Sequence, residues 1–232
     1  MRITVLTLFP KLFDNFLTQS IVKRIIQKKL VKIEIIDFRK YSKSKTKRVD
    51  DYQYGGGPGM VIGLTSIVRA IKKYKTQNSK VILLSPQGKT YTQALAKTYK
   101  QSKHLILIAG HYEGFDERLL HYVDEVVSIG DYVLTGGEVP IMVIIESVIR
   151  LLDYGINKKS LDHETFDQNL LDYPIYTKPL VFEGHQVPKV LLSGNHKLIK
   201  AYRLQAQINK TKKYRKDMYK QYLKEYQNDK IK

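Results

Sequence analysis

The feature that most constrains this chain is an alternation of short apolar runs with stretches of helical periodicity. Arg2 to Phe9 is apolar and β-branched and stops at Pro10, as a buried strand does. Lys11 to Leu30 places Leu12, Phe16, Ile21, Ile25 and Ile26 at helical spacing. Val31 to Phe38 alternates as a strand, and Arg39 to Gly59 is a long polar loop. Thr65 to Tyr74 reads as a helix capped by Thr65. Val81 to Leu84 reads as a strand followed by a turn at Ser85-Pro86-Gln87-Gly88. Thr92 to Lys100 is a helix, His104 to Ala109 a strand, Phe115 to His121 a short helix and Glu125 to Ile129 a strand. Glu138 to Leu152 is a strongly apolar helix. Strands and helices of these lengths in alternation predict an α/β domain with a mostly parallel sheet and helices on both faces.

In such sheets ligands bind outside the C-terminal ends of the strands. Three loops leave those ends: Ser85 to Gly88, Gly110 to Gly114 and Gly130 to Gly137. All three carry glycine, and together they are the candidate site. After Asp153 the character changes. Asp153 to Pro179 is polar and poor in periodicity and reads as a flexible linker. From Gly194 helical periodicity returns in a small basic domain. The division drawn is 1–155 for the α/β domain, 156–175 for the linker and 176–232 for the basic helical domain.

Charge narrows the class of partner. The 232 residues carry a net +18, and the excess sits in two blocks. Lys23 to Arg48 holds eleven basic and two acidic residues, and Lys197 to Lys232 twelve and three, so each block is +9 and the rest is neutral. Concentrated positive charge suits a polyanion, because neutralising phosphates releases counterions. With 31 Lys against nine Arg, Lys-rich drift is the competing explanation. The absence of Cys excludes a disulfide framework, a thiolate zinc site and a cysteine nucleophile. Six scattered His make no metal cluster, and no metal site is expected. No apolar run approaches membrane-spanning length, and Met1 to Pro10 lacks the layout of a secretory signal, so a cytoplasmic protein without membrane contact is expected.

The remaining motifs each have a structural and a functional reading. Tyr54 to Met60 has four glycines in five positions but no following Gly-Lys-Ser/Thr, so it reads first as a shaped turn. Its basic neighbours Lys45, Lys47 and Arg48 leave RNA contact open. Acids after Gly110 suit a helix N-terminus, which accounts for Asp116 and Glu117 better than for Glu113.

Taken in order, several motifs resemble a known family. They are Val49-Asp50-Asp51 before Tyr54 to Met60, Leu84-Ser85-Pro86-Gln87-Gly88, His111-Tyr112-Glu113-Gly114, Ser128 to Glu138, and Leu191 to His196. This set resembles the bacterial tRNA (guanine-N1)-methyltransferases of the TrmD family, which modify guanine 37 beside the anticodon. The resemblance runs to about residue 215. It implies a SPOUT-type fold with a deep trefoil knot, an exception among folds, and an obligate homodimer with sites built from both chains. It implies S-adenosylmethionine as methyl donor, held by Gly110 and by Ile129, Gly130, Asp131, Tyr132, Val133 and Leu134. Leu84, Ser85, Pro86, Tyr112, Gly136 and Gly137 would lie nearby. Magnesium is left open, with no ligand cluster here to hold it. The C-terminal domain would grip the anticodon arm of tRNA.

The reaction that the resemblance implies makes definite demands. Guanine N1 must lose a proton to a base, and charge developing on O6 needs a donor. Arg150 matches the family arginine for O6, where its planar fork suits the task; on spacing alone it is a helix-end charge. Glu113 and Asp172 complete the acidic candidates. The family's catalytic Asp falls on Glu164 in Glu164-Thr165-Phe166, with Asp162 as the alternative base. Where the family has Tyr-Thr-Arg-Pro, this chain has Tyr176-Thr177-Lys178-Pro179, which keeps the charge and loses the fork. Two other outcomes stay open: a knotted RNA methyltransferase of other specificity, and a non-catalytic RNA-binding relative.

Overall fold

A strand buried on both faces needs apolar residues at successive positions, and Leu105-Ile106-Leu107-Ile108 supplies them, each fully buried. The computed structural model describes residues 1–153, 165–166 and 169–231, the side chains of 227–231 excepted. The chain forms two compact units, Met1–Ile156 and Asn157–Lys232. In the first, the strands are β1 (Arg2–Thr7), β2 (Lys32–Asp37), β3 (Asp50–Asp51), β4 (Val61–Ile62), β5 (Ser79–Thr90), β6 (His104–Ile108) and β7 (Glu125–Ser128). Five of them make one parallel sheet in the order β2-β1-β6-β5-β7. β3 and β4 pair antiparallel as a separate ribbon. The helices are α1 (Asp14–Thr18), α2 (Ser20–Gln27), α3 (Leu64–Tyr74), α4 (Gln93–Lys100) and α5 (Glu138–Ile149).

Alternation along the strands divides the core into two layers. Leu6, Val81, Leu83, Ile106 and Ile108 cluster with Ile67, Ala70 and Ile71 of α3 and with Phe38 and Leu119. Ile3, Val5, Ile82, Leu84, Leu105 and Leu107 are buried on the opposite side of the sheet. There α5 buries Ile141, Ile144, Ile145, Val148 and Ile149 and neighbours α2 and α4. The expected α/β sheet flanked by helices is therefore present.

Four local expectations are corrected. Lys11 to Leu30 is not one helix: a 3-10 turn at Pro10–Phe13 leads into α1, and Gln19 is extended before α2 begins at Ser20 with φ 50°. Phe13 and Val22 are both buried, yet nine residues of unbroken helix would set them on opposite sides. The break re-phases the chain so that both reach the core. The strand expected to end at Leu84 continues to Thr90 across a register shift, where Leu84 and Lys89 both pair with Val127. Thr65 is not the cap of α3: the helix starts one residue earlier and Gly63 takes the cap position without a side-chain bond. Finally, α5 ends at Ile149 rather than Leu152, with Arg150 as its C-cap.

In the second unit, β8 (Val181–Phe182) and β9 (His185–Gln186) form a short hairpin, followed by α6 (His196–Tyr214) and α7 (Lys216–Ile231). Asn195 caps α6 by accepting from the N–H groups of Lys197 and Leu198 at 3.1 and 3.2 Å. Among the described residues of this unit, Leu170, Thr211 and Met218 are buried. Thr211 Oγ1 accepts from the Leu171 N–H at 2.8 Å, tying the segment before the hairpin to α6.

One buried titratable group reports on the sheet. The His104 ring lies between Thr4 Oγ1 at 2.9 Å and Ser79 Oγ at 2.7 Å, linking β1, β6 and β5. Burial holds its pKa below the ordinary imidazole value, and the charge of Arg2 adds to the effect. A depressed imidazole contributes stability that is present above the free value of about 6.5 and is lost as pH falls through the lower folded value. The stability gap between the wild type and His104→Gln, from urea midpoints, should therefore shrink as pH drops below about 6.5. A gap that stays constant across that range would remove His104 as its cause.

Candidate active site

The register shift of β5 and the C-terminal ends of β6 and β7 open into a cleft of about 530 Å³, within the size range of small-molecule sites. Its walls are the segments 83–87, 110–117 and 127–137. Two of these segments are in backbone contact. The Gly137 N–H donates to the Gly110 carbonyl at 2.9 Å. A Cβ at Gly137 would stand 2.7 Å from Ala109 Cα and 2.9 Å from Gly110 N, so only glycine lets α5 begin this close to the exit of β6. On the other wall the Tyr91 N–H donates to the Ser128 carbonyl at 2.7 Å, closing the β5 excursion onto β7.

The glycine run Tyr54 to Met60 is joined to this cleft. The Glu113 N–H donates to the Met60 carbonyl at 3.0 Å, the Ile62 N–H to the Gly114 carbonyl at 2.9 Å, and the Asp116 N–H to the Ile62 carbonyl at 3.0 Å. What reads in sequence as an isolated shaped turn therefore abuts the Gly110–Gly114 loop. Asp116 caps the 3-10 turn Glu117–Tyr122, accepting from the Arg118 N–H at 3.0 Å. Its pairing with the Arg118 guanidinium holds its carboxyl below the usual range.

The chemistry of the lining is specific. Leu83, Leu84, Val127, Ile129 and Pro140 make the cleft partly apolar. Tyr112, Tyr132, Val133 and Leu134 remain largely exposed at its rim, Val133 at 90%. Apolar and aromatic groups left exposed around a concave site are suited to closing on a ligand. Glu113 adds a carboxylate among these tyrosines, a combination that accepts a cation through charge and ring faces. Below the rim, Glu138 is 2% exposed. Its Oε1 accepts from Thr7 Oγ1 at 2.5 Å, and its Oε2 lies 2.6 Å from His111 Nε2.

The tRNA (Guanine-1)-methyltransferase TrmD family matches residues 1–221. A tRNA (guanine-N(1)-)-methyltransferase of Malacoplasma penetrans is 58% identical over 225 residues, covering 97% of this chain and 100% of the relative. The protein of that name from Ureaplasma urealyticum is 55% identical, covering 96% and 98%. The one from Mycoplasma mycoides subsp. mycoides is 48% identical, covering 94% and 91%. This chain belongs to the TrmD family.

Of the residues singled out for the donor in this TrmD-family chain, Leu84, Ser85, Pro86, Gly110, Tyr112, Ile129, Gly130, Tyr132, Val133, Leu134, Gly136 and Gly137 all line the cleft. Asp131 is exposed and outside the lining. The acidic and basic candidates fall in different parts of the chain. Glu113 is in the lining. Arg150 is half-buried at the far end of α5, its N–H donating to the Glu146 carbonyl at 3.1 Å. Twelve residues of helix put it about 18 Å from Glu138 along the axis. Asp172 belongs to the second unit, where its carbonyl accepts from Lys210 Nζ at 3.1 Å. Glu164 and Asp162 lie outside the described residues.

Two features of the TrmD-family cleft stood in the sequence motifs without being singled out as site residues. Gln87 lines it beside the expected Pro86, and His111 lines it as well, paired with the buried Glu138. The signal for Glu138 was present: an acid that opens an apolar helix directly after paired glycines. Among the described residues no group of three His, Asp or Glu stands close enough to hold a metal ion. Because Gly137 tolerates no side chain, Gly137→Ala should lower stability by about 1–3 kcal/mol through overpacking. Urea unfolding checks this, and an unchanged midpoint would show that the two backbones can part.

Proposed function

We propose that this TrmD-family methyltransferase moves the methyl group of S-adenosylmethionine to N1 of guanine 37 in tRNA. The observation that carries the reading is the coincidence of family and cleft. Relatives named for guanine-N1 methylation of tRNA match nearly the whole chain, and the three glycine-bearing loops line one cleft at the strand ends.

The lining fits a nucleoside sulfonium donor. The apolar walls suit the adenosine, and Glu113 with Tyr112 and Tyr132 suits the positive sulfur. The donor supplies an already activated methyl, so the protein's task is alignment and management of the guanine proton. A carboxylate must take that proton, and Glu164 or Asp162 is the proposed base. Arg150 would donate to O6 as charge develops there. Its separation of about 18 Å from the cleft floor of its own chain supports a site completed by a second copy. Val139 and Val143 of α5, exposed at 56% and 42%, offer apolar surface for such a homodimer.

The basic blocks have matching places. Lys43, Lys45, Lys47 and Arg48 are exposed just before the glycine run that abuts the cleft. In the second unit Lys197, Lys200, Lys212, Lys213 and Lys216 are exposed along α6 and α7. We assign these to the tRNA backbone, with residues 1–155 catalytic, 156–175 linking and 176–232 gripping the anticodon arm. The family's trefoil knot and a cytoplasmic location belong to the same reading. No helix among the described residues is long and apolar enough to cross a membrane.

Primer extension on tRNA incubated with protein and S-adenosylmethionine should stop at guanine 37, and mass analysis should give 1-methylguanosine. A methylated ribose or another base would replace this specificity, and tRNA binding without donor binding would remove the enzyme. Arg150→Ala should reduce turnover about 100-fold or more while leaving donor affinity within a factor of about three. Equal losses in both would make the arginine structural. Lys45→Ala should lower the slope of log affinity against log salt by about one if it touches a phosphate. An unchanged slope would assign that lysine to compositional drift.

A further inference from the structure

A carboxylate at the first position of a helix is usually kept at the surface, where the helix dipole and water share it. Glu138 is instead 2% exposed beneath the cleft and depends on two protein donors. The direction of one is set by its surroundings. Thr7 Oγ1 accepts from the Phe9 N–H at 2.8 Å, which leaves its proton for Glu138 Oε1. The other oxygen faces His111 Nε2 at 2.6 Å, and an ionised carboxylate there requires the imidazole proton on that nitrogen. The Phe9 ring lies 4.5 Å from the His111 ring and limits its rotation. Gly136 makes room for the pair, since a Cβ there would fall 2.3 Å from the His111 ring and 2.7 Å from Glu138 Oε2.

These contacts join parts that are distant in sequence. Thr7 ends β1, His111 sits on the loop leaving β6, and Glu138 closes the loop leaving β7. We propose that His111 and Glu138, anchored by Thr7, are positioning residues that strap the Gly110–Gly114 loop to the Gly130–Gly137 loop at the spacing the donor requires, a role that rests on the reading of this cleft as the donor site. Neither side chain reacts. The pair removes the freedom of one loop to move without the other, so the cleft is shaped before the ligand arrives. Because the carboxylate is buried, losing the imidazole leaves an unpaired acceptor that pulls Gly136 and Gly137 toward water.

The experiment uses the full chain with His111→Ala, His111→Gln, Glu138→Gln and the double variant His111→Ala/Glu138→Gln. Amide exchange of the donor-free protein is read by mass spectrometry, and S-adenosylmethionine affinity by calorimetry. His111→Ala should speed exchange in the peptide spanning 130–137 as well as in its own loop. It should weaken donor binding ~10-fold, with a smaller change in turnover at saturating donor. The double variant should lose no more than the worse single one, as coupled residues do. His111→Gln, which can still donate to Glu138, should recover most of the affinity. Faster exchange confined to 110–114, additive losses, or melting temperatures that fall in step with affinity in every variant would each overturn the strap. Wild-type protein that binds no S-adenosylmethionine would defeat the donor reading, while the exchange data would still decide whether the loops are coupled.

Discussion

Ala109 and Gly110 lie directly under the backbone of Gly137, with no room for a side chain between them. Much of the first unit follows from that approach. β6 can be the buried centre of a parallel sheet only if the chain leaving it turns at once, because its flanks are occupied by β1 and β5. The helix that covers the opposite layer, α5, starts at the same spot. Backbone therefore meets backbone where most folds would interpose side chains, and the carbonyl of Gly110 is satisfied by the helix's own first turn. The cleft is the space left around this junction.

Electrostatics are partitioned along the chain to match. The cleft segments belong to the charge-neutral middle, and the surplus of cations is kept in two exposed blocks. A polyanion is then drawn to the molecule without filling the cleft itself with competing positive charge. The acids that remain in and near the cleft have distinct environments. Glu113 stands in solvent at the rim, Asp116 is tied to Arg118, and Glu138 is sealed below.

Much of the sheet was legible from residues alone, because buried parallel strands write continuous apolar runs such as His104 to Ala109. The cleft was legible by position, since the three glycine-bearing segments expected at strand ends line it. The family resemblance then added the individual candidates for donor contact, of which Asp131 stands apart from the lining. What periodicity missed was set by partners far along the chain. The break at Gln19 is visible only once Phe13 and Val22 are known to share a core. The continuation of β5 past Pro86 depends on β7, and the link from the Tyr54 run to Glu113 is made by backbone groups that carry no residue signature. The acid at 138 stood in the sequence as the start of an apolar helix after paired glycines, while the partners that hold it, Thr7 and His111, lie elsewhere in the chain.

The shift in β5 bears on how the molecule assembles. Leu84 and Lys89 rest on the same residue of β7, Val127, so the four residues between them form an excursion whose two feet stand on a strand that comes later in the chain. Those feet cannot be set until β7, which follows α4 and β6 in the chain, has arrived. One wall of the cleft thus depends on a pairing between segments that are not neighbours in the chain. On a ribosome, a nascent chain that has not yet released residues 127–137 lacks one wall of the cleft and has no finished place for a ligand.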